Sequence, residues 1–265
     1  MPLAELGAYL GIGAVVGFLA GLLGIGGGLI IVSSLALMFA AHGFPPPFIM
    51  HMAIGTSLAA IMAGAWSSFR THHKHGAVDW PIVKTMVPGL FAGVLAGVAV
   101  ARFVPTGVLK VTFLAFMGVM IVTMVFDLKP TQRRELPGRS GLRGWAFFMG
   151  TASSLFGGGA AAIGVPFFTW CSMTVHRAIG TCAAMGFPLA IAGTLGYAIA
   201  GWSVPGLPEW SLGFVYLPAF VGISATSVLV APFGARLAHK LRGATLRRIF
   251  ALFLIAMGIK LAISV

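Results

Sequence analysis

A chain that carries one short block twice, each time behind a run of glycines, is constrained to fold as two similar halves. Here His51-Met52-Ala53-Ile54-Gly55-Thr56-Ser57 recurs as His176-Arg177-Ala178-Ile179-Gly180-Thr181-Cys182, with five of the seven positions identical. The first copy follows the triplet Gly26-Gly27-Gly28 and the second follows Gly157-Gly158-Gly159. In an apolar chain this duplication predicts two membrane bundles facing each other across a shared site.

The chain is apolar. Hydrophobic residues make up 58% of it and charged residues 8%, whereas a soluble domain carries about a quarter charged. Mean hydropathy is +1.00, and apolar runs of about 20 residues, long enough for a hydrocarbon core of about 30 Å, recur along it. These features define a multi-pass membrane protein. The formal charge of +12 does not point to nucleic acid, because the basic residues sit mostly in short loops between apolar runs, as membrane orientation requires. Cys171 and Cys182 give neither a disulfide framework nor a paired metal motif. Glu5 and the lack of a basic start argue against a cleavable leader.

Apolar segments fall at roughly 7–41, 48–69, 81–101, 105–126, 144–173, 177–200, 211–235 and 245–264. The polar stretch 127–143, with Pro130, Pro137, Gly138 and Gly141, reads as a cytoplasmic linker between a first transmembrane repeat, 1–126, and a second, 144–265. As one helix, 7–41 would be about 50 Å long at 1.5 Å per residue, too long for a single crossing. Its glycine triplet lies well inside, and glycine permits tight turns while weakening helix interiors. Each first segment is therefore expected to be two short helices, bent back as a hairpin or broken in mid-membrane.

The basic residues choose between these. With Lys84 set aside because it lies inside a segment, a single crossing by each first segment divides the cations eight against eight. If each first segment returns to its own side, Arg70, Lys74, Lys129, Arg133, Arg134, Arg139, Arg143, Arg177, Arg236, Lys240, Arg242, Arg247 and Arg248 share one side, against Arg102, Lys110 and Lys260. The positive-inside rule makes the rich side cytoplasmic. A hairpin plus three crossings inverts the second half relative to the first and puts both termini outside. The expected fold is thus an all-α integral membrane protein of two inverted-topology repeats, each a broken or re-entrant helix pair plus three transmembrane helices, a recurring transporter plan.

Unwound backbone is tolerated at membrane depth only where protein buries it or it lines a wet cavity. The amides of Gly26, Gly27 and Gly28 and of Gly157, Gly158 and Gly159, together with half-helix N-termini, form a place for an anion. The plainer role, close helix packing, fits Gly17/Gly21 and Gly89/Gly93/Gly97. Thr56, Ser57, Thr181 and Cys182 stand one to two turns into the following helices. Their hydroxyls, and more weakly the thiol, can donate to an oxyanion or back-bond to their own helix. His51 and His176 can donate to an anion near the start of those helices or cap a loop. Arg177, where the first half has Met52, falls at the cytoplasmic mouth, to gather anions or to set topology.

His72-His73-Lys74-His75 is too tightly spaced for a tetrahedral site by itself, so no metal site is assigned. Glu5, Asp79, Asp127, Glu135 and Glu209 all fall at segment ends or in loops. No carboxylate stands in mid-membrane, where cation sites and proton relays need one. No nucleophile–base–orienter set or cofactor motif is found, so neither an enzyme nor a cofactor is expected.

The run Gly17-Phe18-Leu19-Ala20-Gly21-Leu22-Leu23-Gly24-Ile25-Gly26-Gly27-Gly28, followed by Ala53-Ile54-Gly55-Thr56-Ser57, resembles the TauE/SafE family of sulfite-exporter-like permeases. Gly157-Gly158-Gly159 and Ala178-Ile179-Gly180-Thr181 fit the family's duplicated pattern. The resemblance implies a bacterial inner-membrane permease for sulfur-containing anions such as sulfite, sulfoacetate and other organosulfonates. The expected function is export of such an oxyanion by alternating access, with a passive anion channel or, through the histidine tract, a metal-ion permease as alternatives. The expected partners are a small anionic substrate and the lipid bilayer. Monomer and homodimer both stay open.

Overall fold

The computed structural model describes residues 3–23, 27–126, 135–238 and 243–264. The first half contains α1 (Leu3–Leu23), α2 (Gly28–Ala41), α3 (Ile49–Lys74), α4 (Trp80–Phe103) and α5 (Thr106–Val125). The second contains α6 (Arg139–Phe156), α7 (Gly159–Trp170), α8 (Val175–Gly201), α9 (Leu217–Ala238) and α10 (Gly243–Ser264). Gly26, residues 127–134, Lys240 and Arg242 lie outside the described residues.

Local chemistry sets these boundaries. The stretch 7–41, too long for one crossing, is the pair α1 and α2, with Gly27 in the left-handed region (φ 62°) at the start of α2. The stretch 144–173 is the pair α6 and α7, divided at Gly157 (φ 64°). Glycine, lacking a Cβ, adopts such backbone readily. α6 begins five residues before its apolar run, at Arg139, so its first turn carries cations. At the start of α4 the Asp79 carboxylate accepts from the Ile82 amide at 3.4 Å, an N-cap, and Pro81 sits in the first turn, where its missing N–H costs nothing. The segment read from 211 opens differently from expectation. Residues 211–216 form a β-hairpin, β1 (Ser211–Leu212) paired antiparallel with β2 (Val215–Tyr216). Gly213 (φ 57°) makes its tight turn, and helix α9 starts only at Leu217.

α3, α4, α5 and α8 are each long and apolar enough to cross a bilayer. α2 and α7 have only 14 and 12 residues, which at helical rise reach about 21 and 18 Å. α3 and α8 form the antiparallel centre and are mostly buried along their apolar stretches, whereas α5 exposes most of its length. Gly55 of α3 faces Tyr197 of α8, and Gly193 of α8 faces Leu58 of α3.

Around this centre the packing is reciprocal. The first helix of each half lies along the fourth helix of the other. A Cβ on Gly17 of α1 would come within 2.5 Å of the Ser227 backbone on α9, and one on Gly93 of α4 within 2.1 Å of the Phe147 carbonyl oxygen on α6. A threonine secures each contact: Thr226 Oγ1 donates to the Leu10 carbonyl at 2.9 Å and Thr151 Oγ1 to the Gly93 carbonyl at 3.0 Å. In lipid, where burial no longer drives helices together, such close backbone approach supplies the attraction.

The ends of the bundle are also marked. At one end, Arg177 at the start of α8 pairs with Asp79 ahead of α4 at 3.1 Å, and the first turns of α4 and α6 share a groove. Thus α6 starts, and α7 hands over to α8, at the same end. At the opposite end, Tyr9 of α1 and Phe39 of α2 both meet the ring of Tyr216, at 6.0 and 5.8 Å between centroids. There too, Lys110 Nζ at the start of α5 donates to the Ala262 carbonyl of α10 at 3.0 Å.

Candidate functional site

The two glycine breaks meet. A Cβ on Gly28 would lie 2.1 Å from the Gly157 carbonyl oxygen and 3.4 Å from the Gly158 carbonyl carbon, so backbone touches backbone. Ser57 Oγ donates to the Gly28 carbonyl at 3.3 Å. It also borders Gly157, whose added Cβ would lie 3.7 Å from that oxygen and 2.6 Å from Val32 Cγ2. Ser153 holds the far side, accepting from the Gly157 amide through its carbonyl at 2.8 Å and donating through Oγ to the Gly159 carbonyl at 3.2 Å. Gly158 lies against Phe116, which stacks on Phe156 at 4.6 Å, and Gly159 lies near Ile61. Because α2 begins at Gly28, α7 begins at Gly159 and α6 ends at Phe156, two helix N-termini and one C-terminus meet here, each N-terminus equivalent to roughly half a positive charge and the C-terminus to roughly half a negative one.

The repeated Gly-Thr pairs sit elsewhere and act alike. Gly55 lies against the Phe214 carbonyl, and Thr56 Oγ1 accepts from the amide two residues on, Tyr216, at 2.9 Å. Gly180 lies against the Ala77 carbonyl, and Thr181 Oγ1 accepts from the amide two residues on, Asp79, at 3.1 Å. Each pair therefore docks the strand of chain that leads into the fourth helix, α9 in one case and α4 in the other. Both threonines are buried. Neither bonds back to its own helix in this way, and neither lies at the glycine contact. The last members of the blocks part company: Ser57 reaches Gly28, while buried Cys182 packs its sulfur where a Cβ on Gly164 of α7 would stand.

The histidines are not equivalent. His51 is buried, with Nε2 2.9 Å from the Ala101 carbonyl oxygen at the end of α4 and its ring against Phe214. His176 is exposed at the start of α8. Arg177, 57% exposed, is held by Asp79, which is 19% exposed. His73 packs against Phe69 and Trp80, and His75 Nδ1 contacts the Thr71 carbonyl. Among the described residues no group of three or more His, Cys, Asp or Glu could hold a metal ion.

The structure thus brings Gly27, Gly28, Ser57, Gly157, Gly158 and Gly159 to one place, and distributes Thr56, Thr181, His51, His176 and Arg177 toward the two ends. Gly26 lies outside the described residues. Sequence reasoning did not single out Tyr197, whose hydroxyl donates to the Ser154 carbonyl at 2.8 Å beside the break in α6. Nor did it assign a role to Asp79 or Tyr216. Asp79 had a readable sign, since an Asp ahead of Trp80-Pro81 is a helix start.

A helical bundle with, among the described residues, four membrane-long apolar helices and two apolar stretches broken at glycine is a multi-pass integral membrane protein. The family described as Sulfite exporter TauE/SafE matches residues 9–261, and the chain belongs to it. It is 37% identical over 253 residues to a probable membrane transporter protein of Haemophilus influenzae, covering 94% of this chain and 95% of the relative. It is 24% identical over 253 residues to a probable membrane transporter protein of Methanocaldococcus jannaschii, covering 94% and 92%. A probable membrane transporter protein of Xylella fastidiosa is 26% identical over 267 residues, covering 98% and 95%. No solved structure matches the chain. Family and relatives identify a membrane transporter rather than an enzyme.

Proposed function

We propose that this transporter exports a small sulfur-containing oxyanion, sulfite or an organosulfonate, by alternating access between two inverted-topology repeats, 1–126 and 144–265, each a re-entrant helix pair plus three transmembrane helices. The observation that carries this reading is the contact of Gly28 with Gly157. Two short helices direct positive ends at one point, with the Ser57 hydroxyl beside them. An oxyanion is the solute that such a point attracts. In the described conformation the tips touch, so the anion binds once they part.

The Gly-Thr clamps supply the gates. One, Thr56 on Tyr216, stands near the end where both α1 and α2 reach Tyr216. The other, Thr181 on Asp79, stands near the end of the Asp79–Arg177 pair. Releasing one while keeping the other lets the fourth helix of one half move against its partner, as repeat transporters rock. The cation count assigns the Asp79 end to the cytoplasm and both termini to the outside. An anion leaving a negative-inside cell gains about 2.3 kcal/mol per charge per 100 mV, so export proceeds without a coupling ion.

Flux in proteoliposomes at controlled voltage, comparing sulfite, sulfoacetate, taurine and sulfate, tests the proposal. Saturable movement of a sulfur oxyanion with counterflow is expected. Ser57→Ala, which removes the hydroxyl at the contact, should weaken apparent affinity about 10-fold or more, the scale of a hydrogen bond to a charged partner. Non-saturating flux without counterflow would establish a channel instead, and failure to move any of these anions would refute the substrate class.

A further inference from the structure

Lys84 lies inside the apolar segment 81–101 and was left out of the loop-charge count. It stands one turn into α4, where α4 and α6 begin side by side. The two helices touch closely further along, at Gly89 against the Arg143 carbonyl and at Gly93 against the Phe147 carbonyl. Nearer their starts they leave a groove of about 480 Å³ whose lining includes Lys84, Arg139 and Arg143, with Ile82 and Leu142 as its buried apolar floor. All three cations are exposed. Among the described residues none of them has an acidic partner, and the neighbouring carboxylate, Asp79, is already engaged by Arg177 and the Ile82 amide. Three like charges around one concavity repel one another unless an anion lies among them.

The continuation of the groove says what kind of anion. On α4 the face that carries Lys84 continues, at helical spacing, to Phe91 and Leu95, which are 40% and 47% exposed; on α6 the face of Arg139 and Arg143 continues to Phe147, 44% exposed. A cationic pocket thus opens onto an apolar stripe along the same helix pair. A free phosphate would use only the first part, whereas a phospholipid matches both. Basic pockets between membrane helices are suited to acidic lipid headgroups, each nearby cation contributing about fivefold in binding.

We propose that this groove holds the headgroup of an anionic phospholipid, its phosphate among Lys84, Arg139 and Arg143 and its acyl chains along Phe91, Leu95 and Phe147. The site is separate from the glycine contact and does not depend on the identity of the transported anion.

Native mass spectrometry of the intact protein in detergent, titrated with phosphatidylglycerol or phosphatidylcholine of the same chain length, tests it. The unaltered protein should retain phosphatidylglycerol in preference to phosphatidylcholine. Lys84→Gln, Arg139→Gln and Arg143→Gln should each lower phosphatidylglycerol retention about fivefold, and the triple variant should lose the preference while keeping its phosphatidylcholine adducts, which report an intact fold. Removing equal charge at the opposite end, by Arg102→Gln, Lys110→Gln and Lys260→Gln together, should leave the preference unchanged. The proposal is overturned if the first triple variant keeps the preference, if the second loses it equally, or if inorganic phosphate displaces the lipid at comparable concentration, which would mark a site for a free anion.

Discussion

Asp79 does three things at once. Its carboxylate caps α4 and holds Arg177, and its amide is accepted by Thr181. At the matching station of the other half stands Tyr216, whose amide goes to Thr56 and whose ring meets Tyr9, Phe39 and Phe44. The backbone device is repeated while the side chains around it are ionic at one end and aromatic at the other. Thr56→Val and Thr181→Val each leave a backbone N–H without its acceptor, so each should lower stability by about 1–3 kcal/mol, measured by thermal unfolding in detergent. Asp79→Asn keeps an oxygen for the cap and loses only a pair whose arginine is 57% exposed; its stability cost should stay below about 1 kcal/mol. Gly28→Ala has no such latitude, because the new methyl carbon would lie 2.1 Å from the Gly157 oxygen. It should slow or abolish transport and cost about 1–3 kcal/mol as overpacking, read by flux and unfolding together. The duplicated threonines were legible in the sequence; their partners were not, since they lie 160 and 102 residues away in the other half.

Among the elements, the breaks in the first segment of each half were legible because length and glycine content agree: a stretch too long to cross once, interrupted by residues that tolerate left-handed backbone. The β-hairpin at 211–216 was not, because Leu212, Phe214, Val215 and Tyr216 read as the start of an apolar helix, and only Gly213 interrupts them. Its position is fixed from outside, by the Phe214 amide donating to the Tyr197 carbonyl at 3.2 Å. Helix-to-helix distance is set the same way, by what the neighbour presents. Gly93→Leu would drive a side chain into the α6 backbone and should separate α4 from α6, lowering the unfolding temperature and the yield of folded protein. Gly64→Ala in the interior of α3, where an added Cβ meets nothing within 4 Å, should raise stability by about 0.5–1 kcal/mol.

For the whole molecule, the distribution of charge and the contacts at the two ends make one arrangement testable. Gly107 and Gly138 are both exposed, and the native Cys171 and Cys182 are buried. Cysteine placed at 138 and at 174, which is also exposed, should be labelled by a membrane-impermeant maleimide from one face of sealed vesicles and cysteine at 107 from the other; labelling of 138 and 174 from opposite faces would refute the returning first segment and with it the opposed orientation of the halves. The interlocking of α1 with α9 also bears on how such a chain is made. Thr226, which anchors Leu10, follows it by 216 residues, and at about 5–20 residues per second the ribosome needs about 10–40 s to supply it. Through that interval α1 must wait in the lipid without the helix along which it will later pack. Nascent chains stalled before α9 should therefore be the ones that insertion factors retain and quality-control proteases remove.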